Sequence, residues 1–180
     1  MLLAAVGVTL AKETEMKIAL TSIFASAMLL VSANASFATA LLQASSAEEQ
    51  LATDTEPKVV TMNTTDLANG ITNRNGVATI YFDGAYFIVA AGQVGGKAPG
   101  SVRLWLNVNG KDVNNSNTEQ VIPASSFTTV LVTQGVVMLK RDDKIEVRYS
   151  GSAPGLGLIV KKPNGEPVVP SIIFSVFKIN

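Results

Sequence analysis

Pro170-Ser171-Ile172-Ile173-Phe174-Ser175-Val176-Phe177-Lys178-Ile179, near the C-terminus, is the stretch whose reading decides the fold. Successive side chains of an extended strand point to opposite faces. Ile172, Phe174 and Val176 therefore share one face, while Ile173 and Phe177 share the other. A half-buried edge strand alternates apolar with polar residues, whereas this one is apolar front and back and needs cover on both sides. In an all-β domain one cover is the sandwich core, and the second can be a neighbouring copy of the same chain. The stretch points to an obligate oligomer of jelly-roll-like sandwiches, not to a solitary enzyme.

Composition narrows the chemistry. The chain has 180 residues, 47% of them apolar and only 16% charged, with Lys plus Arg balancing Asp plus Glu at 14 each. That length supplies one domain with a real core once an N-terminal segment is set aside. A neutral chain has no general attraction to phosphate backbones or anionic lipid, so nucleic acid is not expected as a partner. With no cysteine there is no disulfide framework, thiolate zinc site or cysteine nucleophile. The absence of histidine removes the commonest general base and metal ligand, and with them Ser-His-Asp and Cys-His catalysis.

The N-terminal region reads as an export signal. From Met16, taken as the true start, Lys17 precedes an apolar run from Ile18 to Val31. Ala33-Asn34-Ala35 and Ser36-Phe37-Ala38 then offer the small-x-small pattern of a cleavage site. The run is shorter than the roughly 20 residues a spanning helix needs, so no stable membrane insertion is expected after signal removal. A short anchor or buried helix is the plainer alternative. Residues 1–38 are thus assigned to the signal region. Residues 39–57, small, polar and acidic around Gln43-Ala44-Ser45-Ser46-Ala47-Glu48-Glu49-Gln50, are expected to be a flexible leader. A short amphipathic helix on Leu41, Leu42 and Leu51 is the other reading.

Residues 58–180 change character, with short runs rich in Val, Ile, Thr and Phe punctuated by Gly, Asn, Asp and Pro. That is the signature of a many-stranded sandwich or barrel. Strands are expected at 59–62, 77–82, 85–91, 101–108, 126–133, 136–140, 144–149, 157–160 and 171–179. Asn109-Gly110 suits a turn with positive φ, and Lys140-Arg141-Asp142-Asp143 a charged bend. Asp83-Gly84 fits either a tight hairpin or a corner between sheets. In the strand at 101–108, Val102, Leu104, Leu106 and Val108 form the core row. Arg103, Trp105, Asn107 and Asn109 form the outer row, which puts the single tryptophan on the polar face.

In this order, the landmarks resemble the globular head of complement component one q and its tumour-necrosis-factor-like relatives. Ile80-Tyr81-Phe82-Asp83-Gly84-Ala85-Tyr86-Phe87 is similar to that family's aromatic strand, glycine and Tyr-aromatic pair. Trp105-Leu106-Asn107-Val108-Asn109-Gly110-Lys111 resembles its strand ending in an Asn-Gly turn. The run from Gln134 to Val147 resembles its leucine, turn, Gly-Asp, Lys-Val hairpin, and Ile173 to Phe177 its closing Phe-Ser-Gly-Phe strand. Together these span about Val59 to Ile179. Asp142 and Val176 stand where the family usually carries Gly, and no collagen-like stalk precedes the domain. The resemblance implies a jelly-roll β-sandwich of about ten antiparallel strands that forms a compact homotrimer, with aromatic residues along the threefold axis.

Several residue groups are candidates. For assembly they are Tyr81, Tyr86, Phe87, Trp105, Phe174 and Phe177. For a ligand loop they are Asn107, Asn109, Asn114, Asn115 and Asn117 beside Trp105, since amides next to an aromatic ring suit a sugar. Asn and Asp also simply favour turns. Asp142 and Asp143, with Glu146, are carboxylates that could hold calcium, as related heads sometimes do. Their basic neighbours Lys140, Arg141 and Lys144 favour a solvated turn instead. Gly92, Gly95, Gly96 and Gly100 beside Lys97 lack Walker spacing and read as a flexible loop. Asp66, Asp83, Glu119 and Glu166 are the carboxylates a glycosidase-type rival would need. The expectation is a non-enzymatic, secreted, periplasmic or cell-surface domain. It would assemble as a homotrimer and bind an unidentified protein or glycan, without a cofactor. A monomeric carbohydrate-binding sandwich built on Trp105 is the alternative.

Overall fold

A computed structural model describes residues 40–180, and the export-signal region lies outside the described residues. The strands, numbered in chain order, are β1 Leu41–Ser46, β2 Gln50–Leu51, β3 Lys58–Val59, β4 Thr64–Asn69, β5 Ile71–Arg74, β6 Val77–Ile80 and β7 Gly84–Gly96. They continue with β8 Gly100–Val108, β9 Lys111–Asp112, β10 Thr118–Ile122, β11 Thr129–Leu139, β12 Lys144–Gly151, β13 Leu156–Leu158 and β14 Ile172–Lys178. All regular structure among the described residues is strand, and every ladder is antiparallel.

Two sheets face each other. The first runs β4-β1-β14-β7-β11, with short β13 and β2 continuing beyond the end of β14 along β7. The second runs β10-β8-β12-β6-β5, with β3 beside β12 and β9 beside β8. The inward rows are fully buried: Leu42, Ile88, Ala90, Phe174 and Val176 from the first sheet, and Ile80, Leu104, Leu106, Ile145 and Val147 from the second. This is a many-stranded sandwich, as the strand pattern implied, and the jelly roll that the resemblance implied.

The chain crosses between sheets at two of the turns singled out above. Asp83-Gly84 is the corner from β6 in the second sheet to β7 in the first, not a hairpin. Lys140 to Asp143 carries the chain from β11 back to β12, so it joins two layers. Asn109 and Gly110, at φ 51° and 80°, do make the tight turn from β8 to β9. That turn needs positive φ at both central positions, which Asn and Gly tolerate.

The structure corrects several boundaries. Residues 41–46, expected in a flexible leader, form β1 between β14 and β4. Of its inward residues only Leu42 is large, and Ala44 and Ser46 are small enough to lie over the larger core side chains, so few big apolar residues were needed. β14 is consequently a central strand. The stretches at 126–133 and 136–140 merge into one long β11. Gly92, Gly95 and Gly96 lie within β7 instead of a loop, because β13 packs close. A Cβ at Gly92 would sit 2.7 Å from the Leu158 side chain.

Candidate assembly face

The outer surface of the first sheet is apolar, and its register shows why. Val136 on β11, Phe87 on β7, Phe177 on β14 and Leu41 on β1 are direct partners across four strands. Val132, Ala91, Ile173 and Ser45 form the row two pairings away. Gln134, Val89, Ser175 and Gln43 lie between them, with exposed Leu67 of β4 at the end of that row. No Asp, Glu, Lys or Arg occupies any of these positions. Met138 at 72% exposure, Val136 at 63%, Leu67 at 59% and Val130 at 55% are the most open of its large apolar side chains, and Val132, Ile173 and Phe177 stand at 41–43%.

Strands lie about 4.8 Å apart and rise about 3.4 Å per residue. Four strands, taken from Val130 to Met138, therefore make a patch on the order of 400 Å². An uncharged, mostly apolar surface of that size, here crossed by the neutral polar row of Gln134, Ser175 and Gln43, marks interaction sites. β11 is also the outermost strand of its sheet alongside β7, and it carries no charged residue or proline to discourage pairing.

The final strand thus behaves as its two-sided pattern implied. Ile172, Phe174 and Val176 are fully buried, while Ile173 and Phe177 are about two-fifths exposed. Of the six aromatic candidates for assembly, only Phe87 and Phe177 lie on this face. Tyr86 and Phe174 are completely buried between the sheets, so neither can touch another copy. Tyr86 neighbours Phe87, and Phe174 is an odd number of positions from Phe177, so each pair must point apart. The Tyr86 hydroxyl donates to the Phe82 carbonyl at 2.6 Å. Burial, and secondarily the charge of Asp83, push this phenol's pKa up. Tyr81 and Trp105 belong to the outer row of the opposite sheet. The main contributors missing from the sequence reading are Val130, Val132, Val136 and Met138. The 129–139 stretch carries the same two-sided apolar signature as the last strand and could have exposed them.

Trp105 does lie on the outer side of its sheet, yet it is only 7% exposed. Its indole N–H donates to Asp112 Oδ1 at 2.8 Å, and Asn107 Nδ2 donates to the same oxygen at 2.8 Å. These bonds, Asn107's foremost, hold the Asp112 carboxyl below its ordinary pKa, with a smaller contribution from Arg148. Asn107 is buried and its Oδ1 has no hydrogen-bond partner. Trp105, Asn107 and Asp112 therefore form a structural clasp on the β8–β9 hairpin, with no open ring face for a sugar.

Asn109 is structural too. Its side-chain Nδ2 donates to Asp143 Oδ1 at 2.8 Å, and its side-chain Oδ1 accepts the Lys144 N–H at 2.9 Å. Asn114, Asn115 and Asn117 are exposed, with Asn115 at φ 62°. Asp143 also accepts the Lys140 N–H at 2.8 Å, so one of its oxygens closes its own turn while the other ties that turn to Asn109. Asp142 sits at φ 70°, in the left-handed region that favours Gly. Among the rival's carboxylates, Glu119 pairs with Arg103 and Asp83 accepts the Arg141 N–H at 2.7 Å.

The fold has clear relatives. Three crystal structures of murine APRIL, a tumour-necrosis-factor-family jelly roll, superpose on this chain. The structure at pH 5.0 matches with a TM-score of 0.57 at 13% identity, and that at pH 8.5 with 0.55 at 13%. The third, at pH 8.0, matches with 0.56 at 12%. Each alignment covers 78% of this chain and 99% of the other. No family model matches the chain, and no curated protein matches it in sequence. The chain has the tumour-necrosis-factor-like jelly-roll fold. Among the described residues no helix is long and apolar enough to cross a membrane.

Proposed function

We propose that this domain is a non-enzymatic binding and assembly module that works as a homotrimer outside the cytoplasm. One observation carries the proposal: the uncharged apolar outer face of the first sheet, running from Met138 and Val136 through Phe87 to Phe177. Six of its side chains, Val130, Val132, Val136, Met138, Ile173 and Phe177, keep between 41% and 72% of their surface in water. That amounts to about three whole side chains. At roughly 2 kcal/mol for burying each, covering them contributes about 6 kcal/mol per subunit before the costs of association. A second copy of the chain is a suitable cover, since the face is neutral and the fold is one that commonly trimerises. The export-type N-terminal sequence supports a role at the cell surface, in the periplasm or in the medium. Trimerisation would present three identical outer surfaces on one rigid body, so weak single-site contacts gain avidity.

Sedimentation equilibrium across a concentration series tests this. The expected result is a mass three times that of the subunit at micromolar concentration. A single-subunit mass at every concentration would end the proposal.

A further inference from the structure

The outer face of the second sheet carries a cleft that the assembly proposal leaves unused. Thr79 on β6 is flanked in register by Lys144 on β12 and Thr72 on β5. One step along the same face, Arg74 pairs with Val77, and Tyr81 follows on the other side of Thr79. These six residues line a shallow depression of ≈ 340 Å³. That lies at the low end for ligand pockets, roughly 300–1,000 Å³, and suits a single ring.

The electrostatics are one-sided. Among the described residues, ion pairs join Lys58 to Asp54, Arg103 to Glu119 and Arg148 to Glu146, which leaves Arg74 and Lys144 without acid partners. No carboxylate lines the cleft. Asp143, next to Lys144, has both oxygens engaged, one by the Asn109 amide and one by the Lys140 N–H, and Glu146, the next outward residue of β12, is held by Arg148 at 3.2 Å. Thr72 and Thr79 supply neutral hydroxyls to the floor. The Tyr81 ring is 41% exposed, and its hydroxyl lies 3.5 Å from that of Thr72.

From this juxtaposition we infer that the Arg74–Lys144 cleft binds an acidic sugar residue. The carboxylate or sulfate lies between the two cations, the ring hydroxyls meet Thr72 and Thr79, and the ring face packs on Tyr81. A bare phosphate fits less well, because phosphate sites lean on backbone N–H groups aimed at the anion, and strand N–H groups lie in the plane of the sheet instead of on the face that carries the cleft. The open, shallow shape gives a nucleobase little to be buried in. This inference does not rest on trimerisation, because the cleft and the assembly face belong to opposite outer surfaces.

The test is a two-dimensional amide NMR titration of the full chain with glucuronate and with glucose-6-sulfate at fixed ionic strength. Both are expected to shift the amides of β5, β6 and the start of β12, and to bind more weakly as salt rises. Arg74→Gln and Lys144→Gln should each weaken binding about tenfold, or about 1.4 kcal/mol. Tyr81→Ala should weaken it while Tyr81→Phe retains it, and Arg103→Gln, on the same sheet, should leave it unchanged. Dispersed spectra check that each variant is folded. Val136→Lys, which removes the assembly face, should keep the same affinity per site. Glucose, inorganic sulfate or an acidic tripeptide binding as tightly as the acidic sugars would overturn the inference. So would the absence of any shift with both acidic sugars.

Discussion

Val136→Lys places an ammonium group in the row formed by Phe87, Phe177 and Leu41, at the centre of the proposed interface. Val136 is 63% exposed in the isolated subunit. At about 2 kcal/mol for burying a whole valine side chain, about 1.3 kcal/mol of apolar burial is lost per subunit. Three subunits together lose about 4 kcal/mol. Trimer dissociation depends on the square of concentration, so the midpoint moves by the square root of the change in the constant, or about thirtyfold. Desolvating three lysines close to one another shifts it further in the same direction. Fluorescence-detected sedimentation on serial dilutions reads this midpoint directly. The fold of the subunit should tolerate the change within about 0.5 kcal/mol, because the site faces water in one copy. Val59→Lys, at 39% exposure beside Arg148 on the other sheet, is the control and should leave the midpoint alone. A Val136→Lys midpoint equal to that of the parent chain would refute the assignment of the face.

Other outcomes follow from single side chains. Trp105→Phe removes one ring of packing at a buried position as well as the bond to Asp112, so urea unfolding should show about 2–3 kcal/mol less stability with no change in oligomer mass. Asp112 has a folded pKa below its unfolded value, so its contribution to stability is fully present above the ordinary carboxylate range. It is lost as pH falls through the folded value, and Asp112→Asn should flatten that part of the acid-unfolding profile. Asp142→Gly relieves a positive-φ position while keeping the backbone bond from Asp142 N–H to the Ile80 carbonyl. It should raise stability by roughly 0.5–1 kcal/mol in thermal melts.

The two faces of the closing strand and of β8 were legible in the sequence because a period of two is unambiguous once a run is long enough. Ile173 and Phe177 emerge on one side and Phe174 on the other, as that period requires. Fate within a face was less legible. The outer row containing Trp105 was identified, but not the Asp112 bond that covers the indole, because it depends on the β8–β9 turn geometry. Tyr86 and Phe174 joined the assembly candidates for their aromatic character, although strand parity alone sends them inward. Residues 41–46 read as a leader because their inward side chains include Ala44 and Ser46. A small residue is what a central strand can carry when its neighbours supply Phe174 and Ile88. The cleft around Thr79 combines three strands, of which Ile71–Arg74 was not recognised as one, so its cations had no reason to be grouped.

The chain has no cysteine, so one introduced thiol reports on one position. Val136→Cys, treated with a thiol reagent over a dilution series, tests burial of the apolar sheet face most directly. Slow modification at high concentration that quickens on dilution, with Val59→Cys fast throughout, is the predicted result. Equal and concentration-independent rates at both positions would mean that no second copy covers this face.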